Sequence, residues 1–242
     1  MTDSVDIIPI ARLALAFIPV AAVLLIIHTW SLGLRTALVA ILRMVSQLLV
    51  VGYFLTFIFG SEQALVTLTF LGMMLAIAGW IALRPLGKDR TNHYPKALIS
   101  ISLGALTVLG IATQGILDLE RWHEIGVVIP LAGIIFANSM NTVSLAAERF
   151  STERHRGSSY QQARSAAMNT ALIPMTNSLL AVGLVSLPGM MTGQILSGVT
   201  PLIAVRYQIL VMCMIFGSAG LATSCYLMLQ RRTSEYSSST IN

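Results

Sequence analysis

The chain has 242 residues, of which 55% are hydrophobic and only 10% are charged. A soluble domain usually has about 25% charged residues, so this composition excludes most soluble folds, and so apolar a chain does not stay disordered in water. With 18 glycines and two cysteines, the collagen and disulfide-scaffold classes are excluded as well. The composition therefore predicts an all-α polytopic membrane protein.

Long runs without charged residues set the expected number of membrane-spanning helices, because one span needs about 20 mostly apolar residues. Seven spans are expected, in chain order at 13–34, 37–59, 63–83, 97–117, 125–147, 170–187 and 207–230. They use up most of the sequence, so residues 1–242 are expected to form a single transmembrane domain.

The basic residues predict the orientation, because Arg and Lys in short loops collect on the cytoplasmic side. With seven spans, Arg35, the loops 84–96 and 148–169, and the tail residues Arg231 and Arg232 fall on one side. The opposite side receives most of the acidic residues, namely Asp3, Asp6, Glu62, Asp118, Glu120 and Glu124. The N-terminus is therefore expected outside and the C-terminus in the cytoplasm. This distribution explains the net charge of +5 without a nucleic-acid partner.

The second span contains Arg43 and Gln47, which lie four residues apart and therefore on one helix face. A charge at this depth must face protein or water and is a functional candidate. The alternative is that Arg43 extends its side chain to the lipid headgroups. That second explanation is the one expected for Arg12, near the outer end of the first span.

The cytoplasmic segment 148–168 is expected to form a helical hairpin. Its first part continues the fifth span out of the membrane, Gly157 ends that helix, and Ser159 to Gln162 have capping-box spacing. The hairpin either docks a soluble partner or lies as an amphipathic loop in the headgroups. The candidate docking residues are Glu148, Arg149, Arg154, Gly157, Ser159, Gln162 and Arg164.

The segment 188–201 is rich in Pro and Gly and is expected to be non-helical or re-entrant. It either lines a transport pathway or is an outside loop. The candidate pathway residues are polar or thioether side chains: Arg43, Gln47, Asn138, Asn141, Asn177, Met190, Met191 and Gln194. Methionine is more often a packing residue, and Asn in a span more often bonds a neighbouring helix.

Several kinds of chemistry are missing from the sequence. It contains no G-x-x-x-x-G-K-[ST] phosphate loop and no H-E-x-x-H pair, and no carboxylate in the middle of a predicted span, which disfavours a proton relay. The chain is therefore expected not to be an enzyme and to hold no cofactor, and the sequence identifies no metal ligands. The open functions are a transporter subunit driven by a partner, a stand-alone secondary transporter or channel, and a non-transporting membrane scaffold.

Five segments resemble one known family. GLVSLPGMMTGQILSG (183–198), followed by PLIAVRYQI (201–209), is similar to the signature of bacterial iron-export ABC transporter permeases, which have plant relatives in aluminium tolerance. The similarity extends to LRMVSQLLVVGYFL (42–55), FANSMNTVSLAAERF (136–150) and GSSYQQARSAAMNTALIPMTN (157–177). These segments are spread over most of the chain.

This resemblance implies a multi-pass permease subunit in the bacterial inner membrane that exports iron or a related metal. It implies that a separate cytoplasmic ATP-binding subunit supplies the energy and contacts residues 148–168. It also implies that two copies of the permease associate as a homodimer within the lipid bilayer.

Overall fold

A computed structural model of the chain describes residues 8–58 and 63–239. Asp3, Asp6 and Glu62, which the sequence assigns to the outer side, lie outside these residues, as does the side chain of Arg232. Helices dominate the described residues and no β-strand occurs among them, so the all-α prediction is confirmed. The chain forms two compact units, Met1–Gly60 and Ser61–Asn242, which we call unit 1 and unit 2.

Unit 1 contains two long apolar segments. Its helices are α1 (Ile10–Ala14), α2 (Phe17–Thr29) and α3 (Leu34–Ile58). No residue of α1 or α2 is buried within the protein, as expected of helices whose surfaces contact lipid. The first span ends at Thr29, five residues earlier than expected, because the chain turns through positive φ angles at Ser31 and Gly33.

Unit 2 is a helical bundle in which α4, α6 and α9 run in one direction and α5 and α7 in the other. They are α4 (Ala64–Ala82), α5 (Arg90–Gly110), α6 (Ile125–His155), α7 (Tyr160–Ala181), α8 (Gly189–Leu196) and α9 (Pro201–Ser239). A 3-10 turn at Arg84–Asp89 joins α4 to α5, and a π-helical turn at Ile111–Ile116 extends α5.

Within the described parts of the chain, six helical stretches are long and apolar enough to cross a membrane. They are Ile10–Thr29, Leu34–Phe54, Ala64–Ala82, Arg84–Ile116, Ile125–His155 and Pro201–Arg231. Helix α7 has 22 residues and is less apolar; it corresponds to the span expected at 170–187 and ends earlier, at Ala181. Counting α7, the prediction of about seven membrane helices holds, while the sidedness of the termini stays a prediction.

The core of unit 2 depends on a close approach of α5 and α9. A Cβ atom added to Gly104 would lie 2.5 Å from the backbone nitrogen of Ala222. Ile101 and Ala105, on the same side of α5, are fully buried. Small residues let membrane helices approach closely, and the resulting van der Waals contacts replace the hydrophobic driving force that lipid does not supply.

The helix directions of unit 2 separate its charges. One end, which we call the basic end, carries Arg84, Lys88, Arg90, Lys96, Arg149, Arg154, Arg156, Arg164 and Arg231, with Asp89, Glu148 and Glu153. The other, which we call the acidic end, carries Asp118, Glu120 and Glu124, with Arg121 and Arg206. This is the segregation that the sequence predicts for the two faces of a membrane.

Candidate functional site

The hairpin expected at 148–168 is present between α6 and α7. Helix α6 continues past Ala147 and ends at His155, and Gly157, whose φ is +86°, turns the chain two residues later. The amide of Gly157 donates to the carbonyl of Arg154, and that of Ser158 donates to the carbonyl of Glu153, both at 3.1 Å. These two bonds form a Schellman motif, which satisfies the last carbonyl groups of the helix and sets the direction of the following chain.

Glu153 holds the tip of the hairpin together. Its carboxylate lies 2.8 Å from the guanidinium of Arg149 and 3.7 Å from that of Arg156. It also accepts a 2.8 Å hydrogen bond from the hydroxyl of Ser158. One carboxylate thus connects the last two turns of α6 to the residue that follows Gly157.

The second helix of the hairpin begins as predicted, with a capping box. The hydroxyl of Ser159 accepts a hydrogen bond from the backbone amide of Gln162, and the Gln162 side chain accepts one from the amide of Ser159. Tyr160 then joins the two helices, because its ring packs edge-on against Phe150 with centroids 6.0 Å apart. The Arg164 guanidinium lies over the Tyr160 ring, 5.7 Å from its centre.

A partly buried polar network links α5 and α9 near the hairpin. The ammonium of Lys96 donates to the Gln230 amide oxygen at 3.2 Å, so the Gln230 amide nitrogen is left to donate to Nδ1 of His93, at 3.0 Å. Nδ1 of His93 is therefore the acceptor nitrogen. A cavity of about 210 Å³ separates this network from Arg154 and His155 of the hairpin.

A second cavity, of about 420 Å³, lies towards the acidic end of unit 2. We call it the α6–α7–α9 cavity, after the helices that form its walls. It is lined by amide, hydroxyl, thioether and aliphatic groups from Asn138, Met175, Asn177, Ser178, Ala181, Val182, Ser186, Pro188, Met212 and Ile215. No lining residue is charged. The tight turn after α7, with Gly183 at φ +83°, closes one side of it.

The structure does not bring all the candidate pathway residues together. Asn138 and Asn177 both line the α6–α7–α9 cavity, whereas Asn141 is exposed on α6 and does not line it. Arg43 and Gln47 lie one turn apart on α3 of unit 1, and both are exposed within that unit.

The segment 188–201 differs from the prediction of irregular backbone. Residues Gly189–Leu196 form helix α8, with Gly189 as its first residue and Gly198, at φ +88°, in the turn that follows, so the non-helical alternative is wrong and the re-entrant one stays a prediction. Met190 packs against the hydrophobic core, and Met191 is half-buried. The Gln194 amide oxygen is buried and has no hydrogen-bond partner among the described residues.

Sequence reasoning missed several residues of the hairpin and of the α6–α7–α9 cavity. Glu153 and Ser158 were left out of the candidate docking residues, although the Arg149–Glu153 spacing of four is a signal for a helical ion pair. Ser178 and Ser186 line the cavity, but serine is common in membrane helices, and only the fold brings these two together.

Metal ligands are not apparent in the part of the chain that the structure describes. In that part, no three side chains of His, Cys, Asp or Glu lie close enough together to hold an ion. The lining of the α6–α7–α9 cavity offers neutral oxygen and sulfur donors instead.

Comparison with known proteins identifies relatives over most of the chain. A family model described as "Uncharacterised protein family (UPF0014)" matches residues 10–234. The "Probable iron export permease protein FetB" of Escherichia coli K12 is 36% identical, over 90% of this chain and 90% of the relative. A UPF0014 membrane protein of Synechocystis is 37% identical, over 80% of this chain and 87% of the relative. The Arabidopsis thaliana "Protein ALUMINUM SENSITIVE 3" is 30% identical, over 88% of this chain and 84% of the relative. No solved structure is significantly similar to the chain.

Proposed function

The chain belongs to the UPF0014 family of membrane proteins, and from this premise we propose that it is the permease subunit of an ABC exporter for iron or a related metal. A separate cytoplasmic ATP-binding subunit supplies the energy. Two copies of the permease associate in the bilayer to form the translocating unit.

The observation that carries the proposal is that the two helices of the hairpin also form walls of the α6–α7–α9 cavity. Glu153 and Asn138 lie fifteen residues apart on the continuous helix α6, which is about 22 Å along its axis. Arg164 and Asn177 lie thirteen residues apart on α7, or about 20 Å. No flexible loop lies between the hairpin and Asn138 or Asn177, so a displacement of the hairpin moves both asparagines.

The basic end provides the connections that such a displacement needs. Tyr160 donates a hydrogen bond to the Leu227 carbonyl, so α9 follows the first turn of α7. The Lys96–Gln230–His93 network then connects α9 to α5. When the partner closes on ATP and pulls on the hairpin, the helices move as a packed group, and access to the cavity changes from one side of the membrane to the other.

The substrate assignment draws on the relatives. The Escherichia coli relative is named a probable iron export permease, and the Arabidopsis relative is named for aluminium sensitivity. Iron ions favour oxygen or imidazole ligands. The amide and hydroxyl oxygens of the α6–α7–α9 cavity supply such ligands in neutral form, which suits a metal that keeps water or other ligands while it passes.

Metal accumulation in cells tests the proposal. Cells that lack their own iron exporter are loaded with iron and express this chain, its cognate ATP-binding subunit, or both. We expect only the pair to lower cellular iron. The control is the pair in which the phosphate-loop lysine of the ATP-binding subunit is replaced. Cellular iron that does not change with the active pair contradicts the proposal.

A further inference from the structure

The tip of the hairpin, defined as residues 151–158, presents positive charge to its surroundings. The Glu153 side chain is only 14% exposed, whereas that of Arg156 is 67% exposed. Arg154 and His155, beside Arg156, are exposed as well. A partner that approaches the tip therefore meets guanidinium groups first.

The only carboxylate of the tip is already engaged within the hairpin. Glu153 contacts Arg149 and Ser158 at 2.8 Å each, and Arg156 at 3.7 Å. A single negative charge shared among several donors leaves the tip with net positive charge. Because Arg154 also donates to the Ser158 carbonyl at 2.8 Å, the guanidinium groups are held on an ordered backbone.

The length of α6 indicates what the tip can reach. The helix has 31 residues and is therefore about 46 Å long, whereas a bilayer is about 40–45 Å thick with its headgroups. Its cap, Glu124, is charged and belongs at the opposite membrane surface. The C-terminal end of α6 therefore reaches the outer edge of the headgroups, and the turn that follows it lies where a soluble protein can bind it.

We propose that the tip is bound by an acidic cleft on the cytoplasmic ATP-binding subunit, with carboxylates placed against Arg156 and Arg154. The inference rests on the proposed function and adds to it the chemistry of the partner's surface. Arginine suits this role because its planar guanidinium donates two parallel hydrogen bonds to a carboxylate. Charges at the rim of an interface mainly raise the association rate and set its salt dependence.

The test measures binding between the full-length permease in nanodiscs of neutral lipid and its cognate ATP-binding subunit. We expect the dissociation constant to rise with salt, because ions screen exposed charges, and to rise about tenfold at low salt in Arg156→Glu. Arg156→Lys keeps the positive charge, so its dissociation constant is expected to rise less than that of Arg156→Glu. The matched control is Arg206→Glu, the same charge reversal at the acidic end, which is expected to bind as the unchanged protein does.

The outcomes separate this inference from the proposed function. Absence of any complex contradicts both. A complex whose affinity is insensitive to salt and to Arg156→Glu overturns the acidic cleft, while the pairing with an ATP-binding subunit stands. Arg156→Glu that weakens binding to anionic vesicles but leaves the ATP-binding subunit unaffected also overturns it, because the tip then contacts headgroups.

Discussion

The phenol of Tyr160 donates a hydrogen bond to the carbonyl oxygen of Leu227, with a distance of 2.9 Å between the two oxygens. Leu227 is 1% exposed, so this contact joins the first turn of α7 to a buried position on α9. The hairpin is thereby attached to a helix that does not itself belong to it. In the proposed mechanism this bond transmits motion from the hairpin to the rest of unit 2.

Tyr160→Phe is expected to uncouple ATP hydrolysis from transport. The variant keeps the ring against Phe150 and loses one hydrogen bond, so the free energy of unfolding falls by only about 1 kcal/mol. The measurement is the number of ATP molecules hydrolysed per metal ion exported, which we expect to rise. The matched control is Tyr94→Phe, which removes a phenol-to-carbonyl bond to Ala76 away from the hairpin. An equal ratio in both variants argues against the transmitting role.

Gly157→Ala is expected to weaken binding to the ATP-binding subunit. With φ at +86°, a side chain at this position strains the backbone by about 1–2 kcal/mol, and the Schellman turn opens. Gly157→Asn is the control, since Asn tolerates the left-handed conformation better. Copurification with the partner is the measurement. If both variants bind alike, the turn geometry does not matter for docking.

Gly104→Ala is expected to destabilise unit 2. The added methyl group would lie 2.5 Å from the Ala222 nitrogen, so α5 and α9 must separate, at a cost of about 1–3 kcal/mol. Gly110→Ala, on the same helix with nothing within 4 Å, is the control and is expected to keep the original stability. Thermal unfolding in detergent measures the difference. Equal melting temperatures contradict the close packing of these helices.

Asn177 lines the α6–α7–α9 cavity, and Asn177→Leu is expected to lower transport roughly fivefold, because the substrate loses one hydrogen bond worth about 1 kcal/mol. ATP hydrolysis by the complex is expected to continue, because the substitution is far from the hairpin. Asn141→Leu makes the same substitution at a position on α6 that does not line the cavity, and transport is expected to continue. Metal efflux from vesicles is the measurement. Efflux lowered equally in both variants removes the cavity from the pathway.

The sequence was sufficient to predict the elements that depend on local chemistry. Gly157 as a helix end and Ser159–Gln162 as a capping box involve contacts within a few residues, so their spacing alone predicts them. The membrane helices follow in the same way from charge-free runs. Their ends were less accurate: α7 stops at Ala181 because Gly183 makes a tight turn that hydropathy does not detect.

The candidate site could be predicted only in part, because it depends on contacts between distant segments. Asn138 and Asn177 were recognisable as polar residues in spans, but their position in one cavity follows from how α6 packs on α7. The Tyr160–Leu227 bond joins residues 67 positions apart and has no pattern in the sequence. Glu153 was overlooked because its role comes from the folded turn, which brings Ser158 back to its carboxylate.

The most direct test of the central claim is iron movement across proteoliposomes that contain this chain with or without its cognate ATP-binding subunit. The proposal predicts ATP-dependent transport only when both subunits are present, and none when the phosphate-loop lysine of the partner is replaced. Transport by this chain alone without ATP would contradict it and indicate a stand-alone transporter or channel. Absence of ATP-driven transport by a complex that has assembled would contradict it as well.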